Sequence, residues 1–353
     1  MDIYVLNGLS GISGIIDVFE SVIWNPQYYG MGSFELTLQA TDQTYAMLRE
    51  DAYLVRGTDV KADGYENVMV VKDRTIRFDA EKGWTMTVSG MGLKSILGKR
   101  VVWNQTNLDG TLEAGIRTVV TDAIINPSVA DRKISEFVLE TAHGYTEEIT
   151  VQLFGENVAT WLQEICTQYG YGWDVAIHNG KYEFRLIKGV DRTFSQSAVP
   201  PVVFSQDYDN IAESEYTEQK SDYCNVARIG GEGEGTSKRM TETGSASGLD
   251  RSEVYVDGSS VSSNGEIITL ATYIKMLQAY GDQFLSGKTM NTTYTGKVID
   301  NGMYVPGVDY DLGDIVQIQD RFANATARIT EFIYSEDASG ASLLPVFSEF
   351  SVS

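Results

Sequence analysis

Two cysteines, two histidines and a shortage of basic side chains set the first limits on this 353-residue chain. Two thiols, Cys166 and Cys224, are too few for a disulfide framework or a cysteine zinc site. Cys166 stands in the helical apolar pattern "WLQEICTQYG" and is expected to be a buried free thiol, while Cys224 is expected to open an apolar strand. His143 lies in the turn-like "TAHGYTEE" and His178 at an exposed hairpin tip beside Asn179-Gly180, so a Ser-His-Asp triad would have to recruit one of them. No G-x-S-x-G elbow supports a triad, since the nearest stretch, "GSASG" at 244–248, carries Ala246 at the nucleophile position. No run approaches the ~18 apolar residues of a membrane-spanning helix. The start, "MDIYVLNG", has no basic segment ahead of an apolar one. Neither a membrane anchor nor a signal peptide is expected, and synthesis in a cytoplasm is.

The charge balance excludes more. Lys and Arg number 27 against 49 Asp and Glu, a net charge of −22. Wrapping nucleic acid requires cations that neutralise phosphates, so it is excluded as a function. The surplus acid serves solubility, or it covers a surface that must not stick to a polyanion.

Each candidate chemical motif has a plainer reading. "RIGGEGEGTSKR" at 228–239 resembles a phosphate cradle, but Gly231-x-Gly233 lacks its third glycine, which Thr236 replaces. Gly230 and Gly235 have P-loop spacing, yet Thr236 and Ser237 stand where Lys-Ser/Thr is required. Glu232 and Glu234 would also put carboxylates against phosphates. The expectation is a strand running into an exposed, mobile glycine-acid loop. "DYDLGD" gathers Asp309, Asp311 and Asp314, with Asp320 further on, but Gly313 and Asp314 sit where a calcium loop needs a ligand and a glycine. A turn leading into the strand "IVQIQ" is expected instead. Nothing singles out a carboxylate pair for glycoside hydrolysis. The 20 tyrosines and 5 tryptophans could line a sugar groove, although aromatics at strand spacing more often pack cores or interfaces. No catalytic, cofactor-binding or metal-binding residue is nominated.

What the chain does have is strand periodicity at both ends. Residues 1–97 alternate in short runs, with Phe34, Leu36 and Leu38 on one face of "SFELTLQA" and Gly and Asp turns between runs. This predicts a barrel or sandwich. Residues 98–203 read as α/β. "NLDGTLEAGIRTVVTDAII" places Leu112, Ile116, Val119 and Val120 at helical spacing before Asn126-Pro127. "ENVATWLQEICTQYG" does the same with Val158, Trp161, Leu162 and Ile165 and ends at Gly170. "YGWDVAIHNGKYEFRLI" is a hairpin turning on Asn179-Gly180. Residues 204–353 return to β, closing on "TTYTGKVID", "DLGDIVQIQD" and "NATARITEFIYSE", with one amphipathic helical insertion near 266–285. A faint echo links the two β regions. "LREDAYLVRG" and "VMVVKDRTIRF" in the first match "DLGDIVQIQD" and "ARITEFIYS" in the second.

"DVFESVIWNPQYYGMGSFELTL" resembles the opening of a siphophage tail-hub family, the ReqiPepy-type siphovirus tail proteins. "KSDYCNVARIGGEGEG", "GLDRSEVYVD" and "YVPGVDYDLGDIVQIQD" are similar to its later blocks, in the same order. The middle helix and hairpin are similar to the baseplate-hub and late-control proteins of contractile tails. One departure is Gln27 in "NPQYYG", where relatives carry a basic residue before the tyrosine. The resemblance implies an α+β, mainly β fold, with two tail-tube-like β-barrels and an α/β insertion between them. It also implies a non-enzymatic homotrimer at the tail tip or baseplate of a virion, assembled in the host bacterial cytoplasm, with no cofactor. Partners would be the distal tail protein or tail-tube ring, the tape-measure protein, and tail fibre or receptor-binding proteins. Genome DNA would pass through the ring without specific binding. Since the chain stops at Ser353, no appended lytic domain is expected. A cell-wall-active hydrolase, or a carbohydrate-binding module of a tail or cell surface, is the alternative.

Overall fold

The computed structural model describes residues 1–9, 11–265, 267–299, 303–321 and 324–352. Its framework is a sheet built from both ends of the chain. Seven N-terminal strands pair antiparallel in the spatial order Ser21–Asn25, Ser33–Gln39, Gly83–Gly92, Met69–Asp79, Tyr53–Arg56, Ile3–Leu6, Ile12–Ile16. Alternation does here what the pattern predicts: Phe34, Leu36 and Leu38 are buried while Glu35 between them is exposed. The short helix α1 (Asp42–Met47) is started by a capping box between Thr41 and Thr44. Inward side chains from all seven strands, among them Ile3, Ile16, Val22, Leu36, Leu54, Val71 and Val88, form one core.

The middle of the chain packs around a core it shares with the N-terminal part, to which Leu6, Val55, Val68 and Val70 contribute. Helices α2 (Leu112–Val120) and α3 (Val158–Tyr169) bury every apolar position expected of them, and Cys166 is a buried free thiol. Asn157 caps α3 by accepting N–H bonds from Ala159 and Thr160, and Gly170 ends it at φ 71°. The run "NLDGT", expected to begin the first helix, is instead the strand Thr106–Thr111. Thr111 caps Ala114, so helix can start only at Leu112. After Val120 the helix continues as one π-helical turn, Thr121–Ile125. The hairpin Gly172–His178 and Lys181–Ile187 turns on Asn179 (φ 50°) and Gly180 (φ 71°), the geometry this dipeptide favours.

Five C-terminal strands follow, in the order Ile211–Gln219, Asn291–Val298, Gly340–Val352, Asn324–Asp337, Ile315–Gln319. The last also pairs in parallel with Val203–Ser205 and Asp191–Arg192. Gly340–Val352 is a strand beyond those read from the sequence, with Pro345 opposite Phe332. Between the first two of these strands sits a small unit. Val226–Gly230 pairs with Met240–Gly244 and Glu253–Asp257, and helix α4 (Leu270–Ser286) lies against them over Ile229, Val256, Tyr273 and Leu277. Cys224 precedes the strand rather than opening it. The helix expected from Glu266 starts at Leu270 under a Thr269 cap; Glu266, Asp300 and Ser353 lie outside the described residues.

The two β regions are one sheet. Tyr334, Ser335, Glu336 and Asp337 of the long strand Asn324–Asp337 pair antiparallel with Trp24, Ile23, Val22 and Ser21. Among the described residues the ladder runs as one open path from Ile12–Ile16 to Ile211–Gln219. Trp24 is fully buried at the joint, and its indole N–H has no acceptor among the described residues. Trp24→Ala should therefore lower unfolding stability by about 3–5 kcal/mol, whereas Trp24→Phe, which removes the orphan donor, should cost under about 1.5 kcal/mol. Urea denaturation followed by far-ultraviolet circular dichroism separates the two.

Candidate functional site

The segment "NPQYYG" becomes a junction between three parts of the molecule. Tyr28 is almost fully buried, and its hydroxyl donates to the Ile187 carbonyl at 2.8 Å and accepts the Gly189 N–H at 3.1 Å. Its ring lies on Gly172 of the middle hairpin and on Gly313 ahead of the strand Ile315–Gln319. A Cβ at either glycine would fall 2.2 Å from a ring carbon. Gly313 also holds φ +90°, a conformation that glycine adopts without a Cβ penalty. The Arg328 guanidinium sits 5.7 Å from the ring centroid. Burial pushes the Tyr28 phenol pKa above its ordinary value.

Lys94 completes the junction. Its buried ammonium donates to the backbone carbonyls of Gln27 at 2.6 Å and Trp173 at 3.0 Å. Burial pulls its pKa down to about 8. Trp173 returns a bond from its indole N–H to the Tyr29 carbonyl. The Gln27 side chain folds back to accept the Gly32 N–H at 3.4 Å. The cavity beside these groups has a volume of only ≈ 50 Å³, room for water rather than a ligand.

Asp314 fastens the same region. Only 3 % exposed, it accepts bonds from Val190 N–H (2.8 Å), Arg192 Nε (2.6 Å) and Asp311 N–H (3.0 Å). Asp309 serves the Val305 N–H, and Asp320 serves Ser214 and Tyr294. The aspartates thus point to separate tasks, and no metal-binding cluster exists among the described residues. The turn-into-strand reading holds, but the buried Asp314–Arg192 pair had no sequence signal, because its partner lies 122 residues away.

The glycine run is likewise structural, and less exposed than expected. Gly230 and Gly231 are buried; a Cβ on Gly231 would meet the Tyr273 hydroxyl at 2.4 Å and Leu277 at 2.7 Å. Glycine is needed there because α4 packs onto the backbone. Glu232 accepts from Ser263 N–H and Ser262 Oγ; partial burial alone would raise its pKa, but these bonds hold it below the ordinary value. The histidines are far apart in role. His178 bridges Asp63 and Glu183, and these carboxylates raise its pKa. His143 pairs with Glu140 and stacks on Tyr145. The loop 143–145 donates three N–H bonds to Glu113, an acceptor the sequence did not flag.

Three outer features expose unpaired edge or apolar surface. Ile12–Ile16 is a sheet edge that exposes Ile12 and Ile15. Ile211–Gln219 is the opposite edge and exposes Glu213, Glu215 and Glu218. In the hairpin 69–92 the first strand runs on past Tyr53–Arg56, which pairs only with Met69 and Val70, and Ile76, Phe78 and Trp84 are exposed near Arg74, Arg77 and Lys82; the Phe78 and Trp84 rings lie 5.1 Å apart. Contiguous apolar and unpaired edge surface of this kind marks an assembly interface more often than a catalytic site.

The siphovirus ReqiPepy6 Gp37-like protein family matches residues 2–347. The chain belongs to this family. No curated protein matches it. Its fold is similar to the 43 kDa tail protein of prophage MuSo2 from Shewanella oneidensis, at 15% identity and TM-score 0.60, covering 100% of this chain and 98% of that one. It is similar to the tail protein of Neisseria meningitidis MC58, at 14% identity and TM-score 0.59 over 98% and 96% of the two chains. It is also similar to prophage tail protein gp18 of Listeria monocytogenes EGD-e, at 13% identity and TM-score 0.54 over 99% and 94%. The molecule is a phage tail protein, mostly β within an α+β fold.

Two outcomes follow for the junction of this tail protein. Tyr28→Phe strands the Ile187 carbonyl and the Gly189 N–H and should lower stability by about 1–3 kcal/mol in urea melts. Lys94 carries a folded pKa of about 8 against ~10.4 unfolded, so the unfolded chain binds more protons between these values. Its contribution to stability should therefore rise with pH from about 8 to 10. Lys94→Met should flatten that rise, read as the difference between wild-type and variant urea midpoints across the window.

Proposed function

We propose that this tail protein is a baseplate-hub or tail-tip ring: a homotrimer whose two β halves act as two tail-tube-like barrels per subunit. Six barrel units around the ring would then let a three-fold hub dock on a six-fold tube. The observation that carries this reading is the pair of unpaired sheet edges, Ile12–Ile16 and Ile211–Gln219, at opposite ends of one continuous ladder. Edges left open in one chain are closed when neighbours in a ring pair with them.

Packing supports the curled form of each half. Seven strands laid flat would span six gaps of about 4.8 Å, roughly 29 Å. Side chains from every one of those strands nevertheless share a single core. Strong curling brings the outer strands toward each other and makes such sharing natural. Phe204, Tyr294, Val316, Ile329 and Phe347 form the corresponding core of the C-terminal half. The division that suits this reading is 1–97, 98–203 and 204–353, with the middle α/β part as an insertion.

The role is structural, not enzymatic. Partners would be the distal tail protein or tube ring on one face and the tape-measure, fibre or receptor-binding proteins elsewhere. With a net charge of −22, a lumen lined by part of the surplus acid would repel genome DNA and let it pass. The purified chain should show by light scattering a mass three times its 39.0 kDa. Ile12→Lys with Ile15→Lys, which charges the exposed apolar edge, should shift it to monomer without changing its circular dichroism. A wild-type chain that stays monomeric at high concentration and is absent from purified tails would overturn the reading.

A further inference from the structure

A second surface lies away from the sheet edges. Between the segment Val101–Thr106 and the end of α2 runs a cleft of ≈ 260 Å³. Trp103 lines it and is 54 % exposed, making no ring contact with another aromatic among the described residues. The Arg132 guanidinium lies 5.0 Å from its ring centroid and is itself anchored to the Val101 carbonyl at 2.7 Å. The ring is thus steadied on one side and open on the other. Val102, Val119 and Ala123 supply the apolar floor.

The opposite wall is the π-helical turn, closed by the bond from Asn126 N–H to the Thr121 carbonyl at 2.8 Å. Such turns are rare and often lie at functional sites. This one brings Asp122 and Asn126 to the cleft, and neither side chain makes a hydrogen bond or ion pair among the described residues. Asn104 donates to Ser128 at 3.2 Å, which leaves its carbonyl oxygen free to accept. The Asp122 carboxylate and Asn126 amide on one wall, and the Asn104 amide next to Trp103 on the other, therefore line a concave surface with an exposed indole.

We infer that this cleft binds a single pyranose ring of a neutral saccharide. The apolar C–H face of a sugar stacks on an indole, and its vicinal hydroxyls match a carboxylate and an amide held side by side. The volume decides the size class: it lies just under the range of about 300–1,000 Å³ typical of drug-sized ligands, so it suits one ring and not a buried oligosaccharide. Charge disfavours an anionic ligand, because Asp122 is the charged side chain among the residues lining the cleft while Arg132, outside that lining, is turned to the Val101 carbonyl. On a tail protein such a site would engage a terminal sugar of a bacterial surface polysaccharide, and display on several subunits would multiply a weak single-site affinity.

The test titrates the full chain with glucose, galactose, mannose, rhamnose and N-acetylglucosamine, read by tryptophan fluorescence and saturation-transfer NMR. At least one sugar should give a saturable signal. Trp103→Ala and Asp122→Asn should each weaken it ~10-fold or more, equivalent to about 1.4 kcal/mol, and Trp103→Phe should restore part of the Trp103→Ala loss. Unchanged circular dichroism in the variants excludes misfolding as the cause. Three results would overturn the inference: no saturable binding of any of these sugars, binding unaffected by Trp103→Ala, or a variant that loses a tail-protein partner in place of a sugar. The outcome is independent of ring assembly, which light scattering reads separately; a monomer that binds sugar sinks only the hub reading.

Discussion

The structure depends on one strand doing two jobs. Asn324–Asp337 is central to the C-terminal sheet along most of its length, and its last four residues continue into the N-terminal sheet beside Trp24. Tyr334 correspondingly packs against the cores of both halves, with the Arg56 guanidinium 3.7 Å from its ring centroid. The amino terminus reaches the same place, where the Met1 ammonium pairs with Glu336. A backbone ladder is directional and register-bound, so a slip of one residue would turn every inward side chain to the wrong face. The relative position of the halves is thus set by hydrogen-bond register as well as by surface packing.

Tyr28 and Lys94 fix the middle of the chain against that frame at one rim of the core it shares with Leu6, Val55, Val68 and Val70. Both are polar groups buried at a meeting of backbones, and each is satisfied by main-chain atoms from another segment. Such groups tolerate little displacement, because a lost partner leaves a buried donor or acceptor unpaired. The rigid junction leaves the variable work to the outside: the two sheet edges, the hairpin 69–92 and the cleft beside Trp103. Excess acid fits that division, since most carboxylates lie outside the cores and the few buried ones, Asp59, Glu113 and Asp314, are tied to Arg side chains or backbone N–H groups.

Local patterns read well where one face is buried and the next residue is exposed. The burial of Leu112, Ile116, Val119 and Val120, the Gly170 cap and the Asn179-Gly180 turn all follow from spacing and from residues with narrow conformational preferences. Reading failed where tertiary contact overrides local preference. The strand Gly340–Val352 is held by its pairing with Asn324–Asp337, and Asp109-Gly110 lies in a strand ahead of the helix that Thr111 caps. Glu232 looked like loop decoration and proved to anchor Ser262 and Ser263. Of the junction, only "NPQYYG" stood out, and it did so through family resemblance. Nothing in the spacing of Tyr28, Lys94, Gly172, Gly189 and Gly313 announces that they meet.

By itself the sequence determined the class of the molecule: a β-rich chain, acidic enough to exclude nucleic-acid wrapping, whose glycine and aspartate runs are turns and not ligand loops. These are consequences of composition and of periods two and 3.6, which act over a few residues. The tertiary structure alone decided that both ends share one sheet, that Tyr28 and Lys94 lock the middle to it, and that Trp103, Asp122 and Asn126 face a common cleft. Those facts depend on side chains far apart in the chain meeting in space, and no local period encodes such meetings.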